Sequence, residues 1–296
     1  MQRRNFLNLS VKTFMLLGAM SSTLFSQALK TTKEKTMQLT QRAREIFERL
    51  LGGAKRDLLF ASDKEYFTHH INFTFGESFT KANLDKEKYF LITLASTLAV
   101  GGKMEFKTLL KGAINNDISP ISIKEVIYQA TPYAGFARVR DFLSLCNDIF
   151  KKLEIELPLA PQSTTTEENR KIKGREVQNA IFGEANITKM IESTPKDKIF
   201  VNDFLSANCF GDYYTRNGLD LKTRELLTLV YLISLGGVDN QVKAHISGNL
   251  NMGQSREDLL NIIAALIPYI GYPRALNAIA MLDSLTLRLD YNKNIL

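Results

Sequence analysis

The chain carries the same motifs twice at a fixed spacing. Phe75-Gly76-Glu77 returns as Phe210-Gly211-Asp212, Leu84-Asp85 as Leu219-Asp220, and Gly101-Gly102 as Gly236-Gly237, each 135 residues later. Pro132-Tyr133-Ala134-Gly135 returns as Pro268-Tyr269-Ile270-Gly271 at a spacing of 136, so one residue has been inserted or lost in between. A register held over that length marks a duplicated unit, and each copy must then fold the same way. The copies differ where chemistry is concerned. The second has Glu225 and His245 where the first has Phe90 and Leu109. Only one copy keeps groups that can move a proton.

With 296 residues, the chain can form two ordinary domains, each with its own core. The motifs predict one repeat over residues 41–153, a linker over 154–171 and a second repeat over 172–289. Leu157-Pro158-Leu159-Ala160-Pro161 and the Ser/Thr run after it suit an extended connection. Residues 29–40 are polar and read as a spacer. Before them, Arg3-Arg4-Asn5-Phe6-Leu7, an apolar run from Phe14 to Met20 and the exit Ser26-Gln27-Ala28 fit a bacterial secretory signal over 1–28. Its paired arginines resemble a twin-arginine leader, with ordinary secretion as the other route. The apolar run is short for a membrane span, so the expectation is an exported or periplasmic protein with no stable span after processing. Arg3, Arg4 and Lys12 supply three of the seven surplus positive charges, which leaves +4 for the rest. That surplus, with no basic cluster interleaved with aromatics, gives no sign of a nucleic-acid groove.

The secondary structure reads as all-α. Arg224 to Leu235 is apolar at Leu226, Leu227, Leu229, Val230, Leu232 and Ile233, the pattern of a buried helix that Gly236-Gly237 ends. A second helix is expected from about Val238 to Leu250. Ser255 with Asp258 three residues on predicts a capping box, and Ser119-Pro120 predicts the equivalent start in the first copy. Tyr269-Ile270-Gly271-Tyr272 between two prolines predicts a tight helix-to-helix turn, and no alternating apolar run argues for a sheet.

Glu225 falls near the start of the apolar helix, at a position whose counterpart is Phe90, so it points inward. A carboxylate there is costly unless paired or functional. His245 lies on the next helix after a two-residue turn. At 1.5 Å per residue the two sit about 15 and 12 Å from that turn, at similar height. Gln241, one turn before His245, shares its face and is a candidate for the substrate pocket. A carboxylate beside an imidazole orients it for acid/base work, although an inward histidine can equally be a hydrogen-bonded core residue. His69 and His70 are adjacent and diverge on a helix, so no metal site is expected. The glycine pairs lack phosphate-loop spacing, and no cofactor is expected. Cys146 and Cys209 read as buried reduced thiols.

The stretch from Leu219 to Leu282, with LDLKTRELLTLVYLISLGG, QVKAHISGNLNMGQSREDLL and PYIGYPRALNAIAML, resembles the carboxymuconolactone decarboxylase family in its two-domain form. The resemblance runs from about residue 41 to 289 and is more degenerate in the first copy. It implies tandem helical bundles of the alkylhydroperoxidase-like type, and a homo-oligomer, a trimer of two-repeat chains. The family's helix-starting Arg-Glu matches Arg224-Glu225 and its pocket histidine matches His245. The peroxidase branch has a Cys-x-x-Cys ending four residues before that histidine. Val238 and Gln241 stand there instead, so thiol peroxidase chemistry loses both sulfurs. The expectation is a cofactor-free decarboxylase or related lyase acting on a small unsaturated acid or lactone through His245 and Glu225. The alternatives are a periplasmic oligomer that binds a small ligand without turning it over, and a residual peroxidase using Cys209 alone.

Overall fold

The structure is a computed structural model and describes residues 38–52 and 59–293. The predicted export segment, 1–28, lies outside the described residues. Among the described residues every regular element is helical, and no helix is long and apolar enough to cross a membrane.

The first copy comprises α1 (Gln41–Leu51), α2 (Lys64–Ile71), a π-helical stretch (Asn72–Ser78), α3 (Lys86–Val100), α4 (Lys103–Asn115), α5 (Pro120–Gln129) and α6 (Phe136–Lys152). The second comprises α7 (Arg170–Phe182), α8 (Glu184–Glu192), α9 (Ile199–Phe204), a π-helical stretch (Leu205–Tyr214), α10 (Leu221–Leu235), α11 (Asp239–Asn251), α12 (Arg256–Ile270) and α13 (Tyr272–Lys293). The repeated Leu-Asp is a helix start: Asp85 accepts from the Lys88 amide at 2.8 Å and Asp220 from the Thr223 amide at 2.6 Å. Ser255 and Asp258 form the expected capping box, and Ser119 caps α5 with Pro120 in its first turn.

The repeated Phe-Gly-Glu/Asp falls in the π-helical stretches, which the apolar periodicity does not predict. Its glycine is a crossing point. A Cβ on Gly211 would stand 2.2 Å from the Arg170 carbonyl oxygen, and one on Gly174 would stand 1.8 Å from that of Ser206. Only glycine at both positions lets α7 lie this close to the Leu205–Tyr214 stretch. Ala43 and Gly76 make the looser version in the first copy, at 3.3 Å.

Separate cores are predicted for the two copies, and the structure corrects this. One continuous apolar cluster runs from Ala43 and Phe47 through α3 and α10 to Leu282. Helices α3 and α10 are both buried almost throughout their length, so each needs the other to cover its outer face. Polar contacts cross the same seam. Ser234 donates to Ser96 at 2.9 Å, Tyr231 to the Val126 carbonyl at 2.6 Å, and Ser78 to the Ala264 carbonyl at 2.7 Å. The linker is docked as well: Thr164 and Thr165 donate to the carbonyls of Thr215 and Gly211 at 2.7 and 3.1 Å. A small second cluster of Ile181, Cys209, Phe210 and Tyr214 sits beside α7 and borders the site.

Candidate active site

Helices α10 and α11 are joined by the short Gly236-Gly237 turn and lie antiparallel. Glu225 is fully buried on α10, and the Nδ1 of His245 on α11 lies 2.7 Å from its Oε1. The carboxylate reaches the imidazole because Gly248, one turn further along α11, has no side chain. A Cβ there would stand 2.3 Å from Oε1. Asn249 ties the two helices by donating to the carbonyls of Glu225 and His245 at 3.1 and 2.8 Å. The His245 side chain keeps 11 % exposure. Of the two side chains, only that of His245 keeps any exposure. The edges of Phe182 and Tyr133 frame the ring at centroid distances of 5.4 and 6.1 Å.

The second carboxylate oxygen, Oε2, accepts from the Tyr214 hydroxyl at 2.9 Å. Tyr214 lies at the end of the π-helical stretch. It also meets the hydroxyls of Thr228 and Tyr133, the latter at 3.3 Å. Burial, with the Glu225 charge added, pushes the Tyr214 phenol well above its ordinary range. Burial does the same to Tyr133, helped by the neighbouring Cys209. Both therefore keep their protons at neutral pH. Tyr133 belongs to the first copy. Its ring stacks on Tyr231 at 5.8 Å, and its hydroxyl is 3.4 Å from the Cys209 sulfur. The exchange is mutual, since Tyr269 of the second copy meets Tyr89 of the first, hydroxyl to hydroxyl, at 2.7 Å.

A buried polar cluster lies behind the pair. Arg224 is fully buried. It donates to Glu125 at 3.0 Å, to Gln129 at 2.9 Å, and to the carbonyls of Arg216 and Asn217 at 2.8 Å each. Arg216 adds a two-pronged contact to the same Glu125. Two cations on one carboxylate, with Gln129 and two backbone carbonyls taking terminal N–H groups, make the burial of Arg224 tolerable, and its Nε is left without a partner among the described residues.

Of the predicted site residues, the structure brings His245 and Glu225 together and leaves Gln241 exposed one turn earlier on α11. Tyr214, Tyr133, Gln129, Thr228 and Gly248 were missed by the sequence reading. The duplication held a signal for some of them. At the same spacings Tyr214 answers to Phe79 and Gln129 to Ala265, so these positions lose polarity in step with Glu225 and His245. Cys209 is buried, and burial pushes its thiol up to about 12, so the sulfur stays protonated at neutral pH. The thiolate that a peroxidase needs is therefore scarce there. His70 meets the Thr74 hydroxyl at 3.3 Å, and among the described residues no three metal-ligating side chains converge. A cavity of about 440 Å³ opens between the starts of α3 and α10, lined by Lys88, Lys222 and Gln254 among others. None of the predicted site residues borders it.

The sequence model of the carboxymuconolactone decarboxylase family matches residues 65–148 and 201–284, more than half of the chain. The chain belongs to the carboxymuconolactone decarboxylase family. It is similar to the 4-carboxymuconolactone decarboxylase of Acinetobacter baylyi, at 27% identity over 117 residues, which is 40% of this chain and 87% of that protein. It is also similar to a solved structure from Burkholderia xenovorans named as a gamma-carboxymuconolactone decarboxylase subunit. That likeness is 17% identical with a TM-score of 0.47, over 83% of this chain and 97% of the other.

Proposed function

We propose that the protein is a decarboxylase that uses His245 and Glu225 on a small carboxylated unsaturated acid or lactone. The observation that carries this reading is the 2.7 Å contact between a nearly enclosed imidazole and a fully buried carboxylate, at positions the first copy fills with Leu109 and Phe90. Of the pair, only the His245 side chain keeps any exposure, as a group that meets a substrate must. The similarity to a protein named 4-carboxymuconolactone decarboxylase supplies the reaction class.

In such a reaction the bond to the carboxylate breaks and CO₂ leaves. The bonding electrons delocalise through the ring double bond onto the lactone carbonyl. The imidazolium of His245 then delivers a proton to carbon, and the ring regains one from solvent. Glu225 orients the imidazole through the 2.7 Å contact to Nδ1. The substrate is its own electron sink, so His245 and Glu225 suffice for the proton transfers.

The leader-like residues 1–28 support an exported protein. The exposed Phe200, Phe204, Tyr272 and Leu276 support a homo-oligomer, and a stable monomer in light scattering at micromolar concentration would count against that assembly. The reaction class is tested by incubating the protein with carboxylated unsaturated lactones and following released CO₂ and the matching loss of mass. Ligands that bind and come back unchanged would contradict it.

A further inference from the structure

The cavity between the starts of α3 and α10 is built across the seam between the copies, and neither His245 nor Glu225 lines it. Its volume of about 440 Å³ falls within the range of about 300–1,000 Å³ that holds small organic ligands. Its floor is apolar and repeats across the seam. Leu91 and Ile92 of the first copy answer Leu226 and Leu227 of the second, and all four are buried.

The likeness of the copies breaks at Gln254. The first copy has Ile118 there, 136 residues earlier, 4 % exposed and part of the shared core. The backbone is alike at both positions. The Ile118 backbone amide donates to the Ala113 carbonyl at 3.0 Å, and that of Gln254 to the Asn249 carbonyl at 2.9 Å. The fold is therefore satisfied by an apolar side chain at this position. Gln254 is 8 % exposed and lines the cavity, and its side-chain amide has no hydrogen-bond partner among the described residues. Burying an amide without a partner costs stability, so the residue is explained by what enters the cavity rather than by packing.

Positive charge collects at the same end. Lys222 Nζ donates to the carbonyl of Gly253, the residue before Gln254, at 3.0 Å. The Asp258 carboxyl is held below its ordinary range first by the Ser255 amide and hydroxyl and then by the charges of Lys88 and Lys222, which places both ammoniums near the start of α12. The starts of α3 and α10 add the partial positive charge of two helix ends. The acids at the mouth have other partners or face solvent. Asp85 and Asp220 each accept from a first-turn amide, Asp85 also lies 4.0 Å from Lys88, and Glu87 is exposed.

We propose that this cavity is a second ligand site, separate from the His245–Glu225 pair, that takes a small organic carboxylate with an apolar body. The body covers Leu91, Ile92, Leu226 and Leu227. The carboxylate accepts from the Gln254 side-chain amide and faces Lys222 and Lys88. The site joins α3 to α10, so an occupant stabilises the fold as well as filling the cavity.

The test is calorimetric titration of the full chain with benzoate, with benzylamine and inorganic phosphate as comparisons. Benzoate should bind saturably to the parent and equally to His245→Ala, which separates this site from the acid/base pair. Gln254→Leu should weaken binding by about 10-fold or more and raise the urea midpoint, because the partnerless amide is gone. Lys222→Met should weaken binding as well. Benzylamine should not bind, and phosphate at equal concentration should not displace benzoate, since it cannot cover the apolar floor. No saturable benzoate binding by the parent would overturn the proposal. So would binding unchanged in both Gln254→Leu and Lys222→Met, binding lost in His245→Ala, benzylamine binding as tightly as benzoate, or displacement by phosphate. A Gln254→Leu chain less stable than the parent would assign the amide to the fold and overturn it too. Turnover plays no part in the readout, so loss of benzoate binding and absence of CO₂ release are separate results.

Discussion

Gly248→Ala should separate Glu225 from His245 without touching either residue. In the interior of a helix this change ordinarily stabilises by about 1 kcal/mol. Here the added Cβ would stand 2.3 Å from Glu225 Oε1, 2.9 Å from Ile181 Cγ2 and 3.1 Å from Glu225 Cδ, against ordinary contacts that begin near 3.4 Å. The carboxylate must retreat by about 1 Å, and the atom displaced is the one that holds Nδ1. The loss of a hydrogen bond to a charged group costs about 1.5–3 kcal/mol. Overpacking against Ile181 adds roughly 1–3 kcal/mol. After the propensity gain, the net destabilisation is roughly 1.5–5 kcal/mol in urea unfolding. A misplacement of that size should lower decarboxylation by about 100-fold. Gly112→Ala is the matched control, because it meets Leu51, the Leu50 carbonyl oxygen and the Phe90 ring at 2.4, 3.0 and 3.0 Å. It should cost stability by overpacking yet leave the distant His–Glu pair working. Gly248→Ala that equals the parent in both stability and turnover would refute this reasoning.

Burial holds the thiols of Cys146 and Cys209 at about 12, so neither should react with a thiol reagent at pH 8 until the chain unfolds, when both should. The sign follows from the upward shift. The fold favours the neutral thiol, so this contribution is complete below the free thiol's range near about 8.5 and erodes as pH rises toward the folded value. Rapid labelling of native protein would contradict it. The Ser255 amide and hydroxyl hold the Asp258 carboxyl below its ordinary range. Its contribution is therefore present above the unfolded value and lost as pH falls through the folded one. Asp258→Asn should flatten the acid limb of the stability profile, and Ser255→Ala should cost about 1 kcal/mol near neutrality. An unchanged acid limb would rule out the capping box as a source of pH dependence.

Most of the helical frame was legible in the sequence because its signals are local. Asp85, Asp220, Ser119 and Ser255 sit where a helix start needs a side-chain acceptor, and Gly236-Gly237 ends α10 where the apolar run stops. The duplication also carried the site signal, since Phe90 reports that position 225 faces inward. What escaped was non-local. The π-helical stretches coincide with close helix crossings, α7 on Gly211 and α1 on Gly76, and nothing in a periodicity count conveys a crossing. The shared core follows from α3 and α10 being apolar on nearly every face, which alone does not say which helix covers which. Tyr133 stands out in the sequence only as the counterpart of Tyr269, because its role depends on packing across the seam. Gln129 ends α5, five helices before α10 in sequence, and only the fold brings it against Arg224.

The central claim is that His245 moves a proton in a decarboxylation. Its most direct test is CO₂ release from carboxylated unsaturated lactones by the parent and by His245→Ala, compared as kcat/KM. Removal of a general acid/base predicts a fall of about 100- to 10,000-fold with the fold retained. Equal turnover by the two proteins would contradict the account.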